Sequence, residues 1–138
     1  MVNLLIGTKG TGKTKRLIAK ANAAVEATKG YVAVVAVGMD LNYDISSQAR
    51  LINVSEYGVS GAEKFLGFIG GICAGNYDVT DIFVDTTLKI LGTDCPDCLA
   101  KFIEDVAAVS ERTDTNIVLS VSMDENDLPE SVKKYIAE

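Results

Sequence analysis

Residues 2–14 read Val-Asn-Leu-Leu-Ile-Gly-Thr-Lys-Gly-Thr-Gly-Lys-Thr, and this stretch constrains the chain more than any other. Gly7, Gly12, Lys13 and Thr14 complete the pattern G-x-x-x-x-G-K-[ST] without a mismatch. Each position has a physical task. Glycines let the backbone wrap a polyphosphate, so that successive N–H groups from Gly7, Thr8, Lys9, Gly10, Thr11, Gly12 and Lys13 point inward at its oxygens. Lys13 adds positive charge, with Lys9 and Lys15 close by in sequence. The Thr14 hydroxyl is a hard oxygen ligand for a magnesium ion, and a helix starting near Gly12 directs its positive dipole end at the phosphates.

Leu4, Leu5 and Ile6 precede the motif as an apolar strand, and Leu17, Ile18, Ala21, Ala24 and Val25 come after it at helical spacing. On that strand, loop and helix the chain resembles the P-loop NTPase superfamily. The resemblance implies an α/β fold, a three-layer sandwich around a mostly parallel five-stranded sheet, with residues 1–138 forming one nucleotide-binding domain. It also implies ATP and Mg2+ as the bound pair. A second stretch, Thr80-Asp-Ile-Phe-Val-Asp85, is similar to the Walker B strand of that superfamily, whose terminal carboxylate holds the metal directly or through water. Thr14 and Asp85 are thus the expected metal ligands, and Lys13 and Asp85 the expected catalytic pair.

The residues after that acid limit the chemistry. Many ATP-hydrolysing members place a glutamate there, whereas this chain has Thr86 and then Thr87. A threonine can position water but cannot accept its proton at neutral pH. Glu56 is the candidate base recruited from elsewhere, as in the recombinase and thymidine-kinase-like branches that the chain resembles; a plain surface role competes. Ser120 and Ser122, ending a strand expected beside the loop, are candidates for sensing the γ-phosphate. Arg16, Arg50 and Arg112 are the only arginines, which leaves Arg50 or Arg112 as transition-state fingers in an oligomer.

With 48% apolar and 23% charged residues, the chain has the balance of a globular domain and not of a disordered segment. The net charge of −6 sets an average field that repels nucleic acid and anionic lipid, and the lysines around the loop are better matched to a nucleotide. No apolar run approaches the ~20 residues of a membrane span. The first residues enter a strand directly, without a signal-peptide pattern, and an odd count of three cysteines suits a reducing compartment, so a cytoplasmic protein is expected. Cys95-Pro-Asp-Cys98 has C-x-x-C form. A zinc site needs two further ligands, yet the chain has no histidine and one other cysteine. A redox pair is expected after the first strand of a thioredoxin-like pattern, whereas this one opens a late helix; two small apolar residues at a helix start is the favoured reading.

The remaining chain reads as alternating elements. Tyr31 opens a continuous apolar strand ending near Val37, the signature of a strand covered on both faces. A polar segment comes next, in which Asp40, Tyr43 and Asp44 border the expected site, and then a short third strand over residues 50–54. Ser60-Gly-Ala-Glu63 has capping-box form before an apolar helix weakened by Gly67, Gly70 and Gly71, whose outer face is a weaker candidate for self-association. A helix from Pro96 to about Arg112, capped by Thr93 or Asp94, a strand over residues 116–122 and a closing helix over residues 127–137 complete the chain. The functional expectation is a magnesium-dependent ATP-binding protein with slow hydrolysis. A non-hydrolysing regulatory module acting on a protein partner is the alternative, and a small-molecule phosphotransferase trails because no arginine-rich lid is present. No N-K-x-D motif specifies guanine, so ATP rests on the resemblance.

Overall fold

The computed structural model describes residues 1–38 and 44–137. Five strands, β1 (Val2–Gly7), β2 (Tyr31–Ala36), β3 (Arg50–Asn53), β4 (Val79–Val84) and β5 (Asn116–Ser122), form one sheet in the order β1-β5-β4-β2-β3. Every pairing is parallel, so the sheet is fully parallel where a mostly parallel one was expected. The helices are α1 (Lys13–Ala27), α2 (Ala62–Gly75), the short α3 (Thr87–Leu91) and α4 (Pro96–Thr113).

Strand periodicity decides which residues meet which layer. Leu4, Ala33, Val35, Ile82, Val84, Ile117 and Leu119 face α2, α3 and α4, whereas Leu5, Val32, Val34, Phe83 and Val118 face α1 with its Leu17 and Ala21. Both faces are covered, which is why Tyr31–Ala36 is apolar almost throughout and residues 117–121 of β5 are buried without a break. The direction of chain travel explains the layers. From β1 the chain crosses to β2 in one sense through α1, and from β3 to β4 and β4 to β5 it returns in the other through α2, α3 and α4. Right-handed crossovers put helices of opposite sense on opposite faces. The reversal opens a crevice at the carboxyl ends of the strands, where α/β sheets bind ligands.

Three local readings are corrected. The α2 N-cap is Gly61, at φ 90° and with no side-chain cap bond, so Ser60 and Glu63 form no capping box; the Gly61 amide instead donates to the Ile90 carbonyl. The α4 cap is Cys95, not Thr93 or Asp94. Residues 127–137 form no α-helix: short 3-10 turns at Glu125–Asp127 and Glu130–Tyr135 lead to Ile136, which bridges Leu4 in parallel, while the Ala137 amide donates to the Leu4 carbonyl. That pairing covers the outer edge of β1, which would otherwise present unpaired backbone groups.

The rings of Phe65 on α2 and Phe102 on α4 stack with centroids 5.5 Å apart, and both are essentially inaccessible. Phe102→Ala should cost about 3–5 kcal/mol of unfolding free energy in urea titrations, because the helices cannot collapse into the space. A loss below about 1 kcal/mol would show that this layer does not hold the sheet.

Candidate functional site

The loop between β1 and α1 leaves the sheet at its carboxyl edge. Its first glycine is obligatory for space: a Cβ on Gly7 would lie 2.5 Å from Thr11 Oγ1, which is itself held by donating to the Thr8 carbonyl at 2.8 Å. Its last, Gly12, is the α1 N-cap at φ 82° and ψ 19°, a left-handed conformation that glycine adopts without a Cβ penalty. Residues 8–12 are exposed, so the backbone of the loop opens to solvent, and Lys15 is exposed behind it.

Lys13 is the exception, 6% exposed, with its Nζ donating to the Thr8 carbonyl at 2.8 Å and to Thr11 Oγ1 at 3.4 Å. Burial and the nearby Arg16 charge lower its pKa, and the Asp85 carboxylate opposes them. Asp85 comes directly after β4 and is 8% exposed. Its amide donates to the Val35 carbonyl, which fixes the backbone against β2, and its Oδ1 accepts from Thr14 Oγ1 at 3.2 Å. The sequence-predicted metal ligands are thus brought into contact across 71 residues of chain. Burial pushes the Asp85 carboxyl above the usual range, against the Thr14 hydroxyl, the Thr86 amide and the Lys13 charge, which pull it down.

Thr86 sits at φ 52° and ψ 53°, a left-handed conformation that a β-branched residue rarely takes, and its hydroxyl donates to the Asp85 carbonyl at 2.7 Å. It starts α3 by turning the chain sharply after the acid. Thr87 is fully buried and, among the described residues, its Oγ1 is the one buried side-chain polar atom without a hydrogen-bond partner. A cavity of about 400 Å3 is bounded by Lys13, Thr14, Lys15, Thr86, Ser120 and Ser122 together with the loop. Leu5 pairs with Ser120 and Gly7 with Ser122 in the β1–β5 register, so both serines stand beside the loop as expected for a strand next to it.

The other candidate residues fall elsewhere. Glu56 is exposed on a 3-10 turn (Val54–Tyr57) after the outermost strand, separated from β4 by β2, and is not brought to the loop. Arg50 begins β3 and Arg112 lies in the last turn of α4, both toward the opposite edge of the sheet. Asp44 is exposed, and Asp40 and Tyr43 lie outside the described residues. A second cavity, about 570 Å3, adjoins the first at Lys9 and is walled by Thr8, Leu88, Asp94, Pro96, Met123, Asp124 and Asp127. Asp124 and Asp127 share one short turn, and the fold brings Asp94 to them from the segment after α3, a meeting that spacing in sequence does not show. A third cavity, about 650 Å3, is bounded by Tyr31 and residues 45–51, away from the loop. The cysteines expected as small apolar residues are instead bonded, Cys95 to Cys98.

No protein-family model matches the sequence, and no curated protein matches it. Among solved structures, the flagellar accessory protein FlaH from Methanocaldococcus jannaschii is similar at a TM-score of 0.57 and 17% identity, covering 96% of this chain and 65% of that one. The likeness is one of fold. Together with the parallel sheet it shows a parallel α/β fold, and this chain spans 65% of the FlaH chain. No helix among the described residues is long and apolar enough to cross a membrane.

Asp85 holds its proton more tightly when folded, and such a carboxyl destabilises the fold once ionised; the penalty is absent below the unfolded value, grows as pH rises toward the folded value and is complete above it. Asp85→Asn should therefore raise the melting temperature of the ligand-free protein at pH 7, and the gain should vanish at about pH 3, where the wild-type carboxyl is protonated in both states. A destabilised Asp85→Asn protein at pH 7 would contradict the assignment of burial as the dominant influence.

Proposed function

We propose that the protein binds ATP with Mg2+ and hydrolyses it slowly. The contact between Thr14 Oγ1 and Asp85 Oδ1 carries this reading, because it joins the first turn of the helix after the loop to the acid ending another strand. A hydroxyl and a carboxylate are the hard oxygen donors that magnesium accepts, and no three acidic or sulfur side chains among the described residues are placed to hold a metal ion without nucleotide. Magnesium keeps most of its shell for water and phosphate, so one hydroxyl and one carboxylate suit it. Thr14 and Asp85 would hold such an ion, which would supply positive charge beside the phosphates.

The chain's own groups do the remaining work. Amides of residues 8–13 surround the phosphates, and the α1 N-terminus, which has no side-chain cap, directs its free N–H groups at them. Lys13 exchanges the Thr8 carbonyl for a phosphate oxygen, a stronger acceptor. Ser120 and Ser122 offer hydroxyls at the far wall. Among the described residues bounding the loop cavity none is a carboxylate, and Thr86 orients a water without removing its proton. That observation supports slow turnover and favours, as the second reading, a nucleotide-dependent module that acts on a protein partner or a second copy without hydrolysis. Glu56 as base needs a displacement of its whole turn.

Calorimetric titration with ATP tests the claim. Wild type should bind more tightly with magnesium than without; Lys13→Ala should weaken binding about 10- to 100-fold, the worth of a charge-assisted hydrogen bond of roughly 1.5–3 kcal/mol. Asp85→Asn should remove the magnesium dependence while retaining metal-free binding. Equal affinities for Lys13→Ala and wild type would refute the site. Single-turnover phosphate release divides the two readings, with free phosphate supporting the slow hydrolase and an inert tight complex supporting the module.

A further inference from the structure

We infer that Cys95 and Cys98 form a redox-active pair that exchanges electrons with thiols and disulfides, a site independent of the nucleotide reading. The pair opens α4: Cys95 is the N-cap, Pro96 fills the first turn, and the Cys98 amide donates to Cys95 Sγ at 3.1 Å. Their Cα atoms are 5.2 Å apart, inside the range that a disulfide bridges without moving the backbone, and the two sulfurs are bonded. Cys98 is exposed and Cys95 half-buried. Only Pro96 and Asp97 lie between them in sequence, so the closed bond restricts the unfolded chain little and adds little to stability. The remaining cysteine, Cys73, is buried on α2 against Thr115 and takes no part.

The geometry assigns different tasks to the two sulfurs. An incoming thiolate attacks the exposed Cys98 Sγ; the bond between Cys95 and Cys98 breaks, and Cys95 leaves with the electron pair as a thiolate. Its charge is met by the Cys98 amide and by the dipole of an 18-residue helix, the surroundings that lower a thiol pKa and speed its departure. Asp94 and Asp97, each next to one of the cysteines in sequence, bring negative charge that works in the opposite direction. A second thiolate then attacks the outer sulfur of the mixed disulfide, releasing Cys98 as a thiolate and forming the oxidised partner. Two thiols become one disulfide, two electrons pass to the pair, and the two protons of the thiols end on Cys95 and Cys98. Oxidation runs backwards: Cys98 attacks a partner disulfide and Cys95 resolves the mixed species. The substrate class is a small-molecule or protein thiol and its disulfide.

The test uses the full chain equilibrated in glutathione buffers from fully reduced to fully oxidised, acid-quenched, alkylated and mapped by mass spectrometry. Cys95 and Cys98 should convert together, reversibly, in one transition, with Cys73 remaining a thiol. In the single variants the fold is kept, since Cys95→Ser retains a favoured N-cap oxygen. At pH 7, Cys95 in Cys98→Ser should be alkylated at least about tenfold faster, after correction for denatured-state accessibility, than Cys98 in Cys95→Ser, reflecting its larger thiolate fraction. A pair that stays closed in excess reduced glutathione is a structural crosslink and overturns the proposal. So does a pair that stays open in excess oxidised glutathione or takes up two separate glutathiones. A Cys95 no faster than Cys98 overturns its assignment as the leaving sulfur.

Discussion

The hydroxyl of Thr14 and the carboxylate of Asp85 meet because β1, β5 and β4 run parallel, so that the loops leaving these strands emerge at the same edge of the sheet. Much of the architecture serves that meeting. The paired backbones of β1 and β5 set Gly7 beside Ser122, the hydrogen bond from the Asp85 amide to Val35 fixes the acid against β2, and α1 is held down on one face by Leu17 and Ala21. In an antiparallel sheet the same side chains would leave from opposite ends.

Holding them there is unfavourable for the empty fold. Lys13 and Asp85 are both buried charges, each shifted toward its neutral form by desolvation even though each lies near the other. Thr86 adds a left-handed backbone at the next residue, and Thr87 a buried hydroxyl without a partner. Asp85, Thr86 and Thr87 crowd into one turn after β4, while the two hydrophobic layers are ordinary. Concentrated strain and perturbed ionisation beside a cavity are what mark this turn and the loop as a candidate site.

How much of this is legible in the sequence depends on how local each feature is. The passage from strand through loop to helix over residues 7–14 is legible because its glycines and lysine stand at fixed spacing within one short stretch. Asp85 is readable as an acid ending a hydrophobic strand, and the buried strands are readable from their unbroken apolar runs. Sheet order is not, and with it go Glu56, which leaves the outermost strand, and the meeting of Asp94 with Asp124 and Asp127 at the second cavity. Helix ends also depart from expectation. Gly61 and Cys95 take the caps expected of Ser60 and of Thr93 or Asp94, and the last segment is drawn out of helix by pairing with Leu4. In each case a tertiary contact outweighs a weak local preference.

Amide hydrogen exchange of residues 8–15, monitored with and without ATP and magnesium, tests the central claim most directly because it reports on the groups said to hold the phosphates. The exposed loop amides should exchange freely in the empty protein and become protected when ATP and magnesium are added together, with the end of β4 and the start of α3 protected in step. Unchanged exchange in the loop at saturating nucleotide and magnesium would contradict the account.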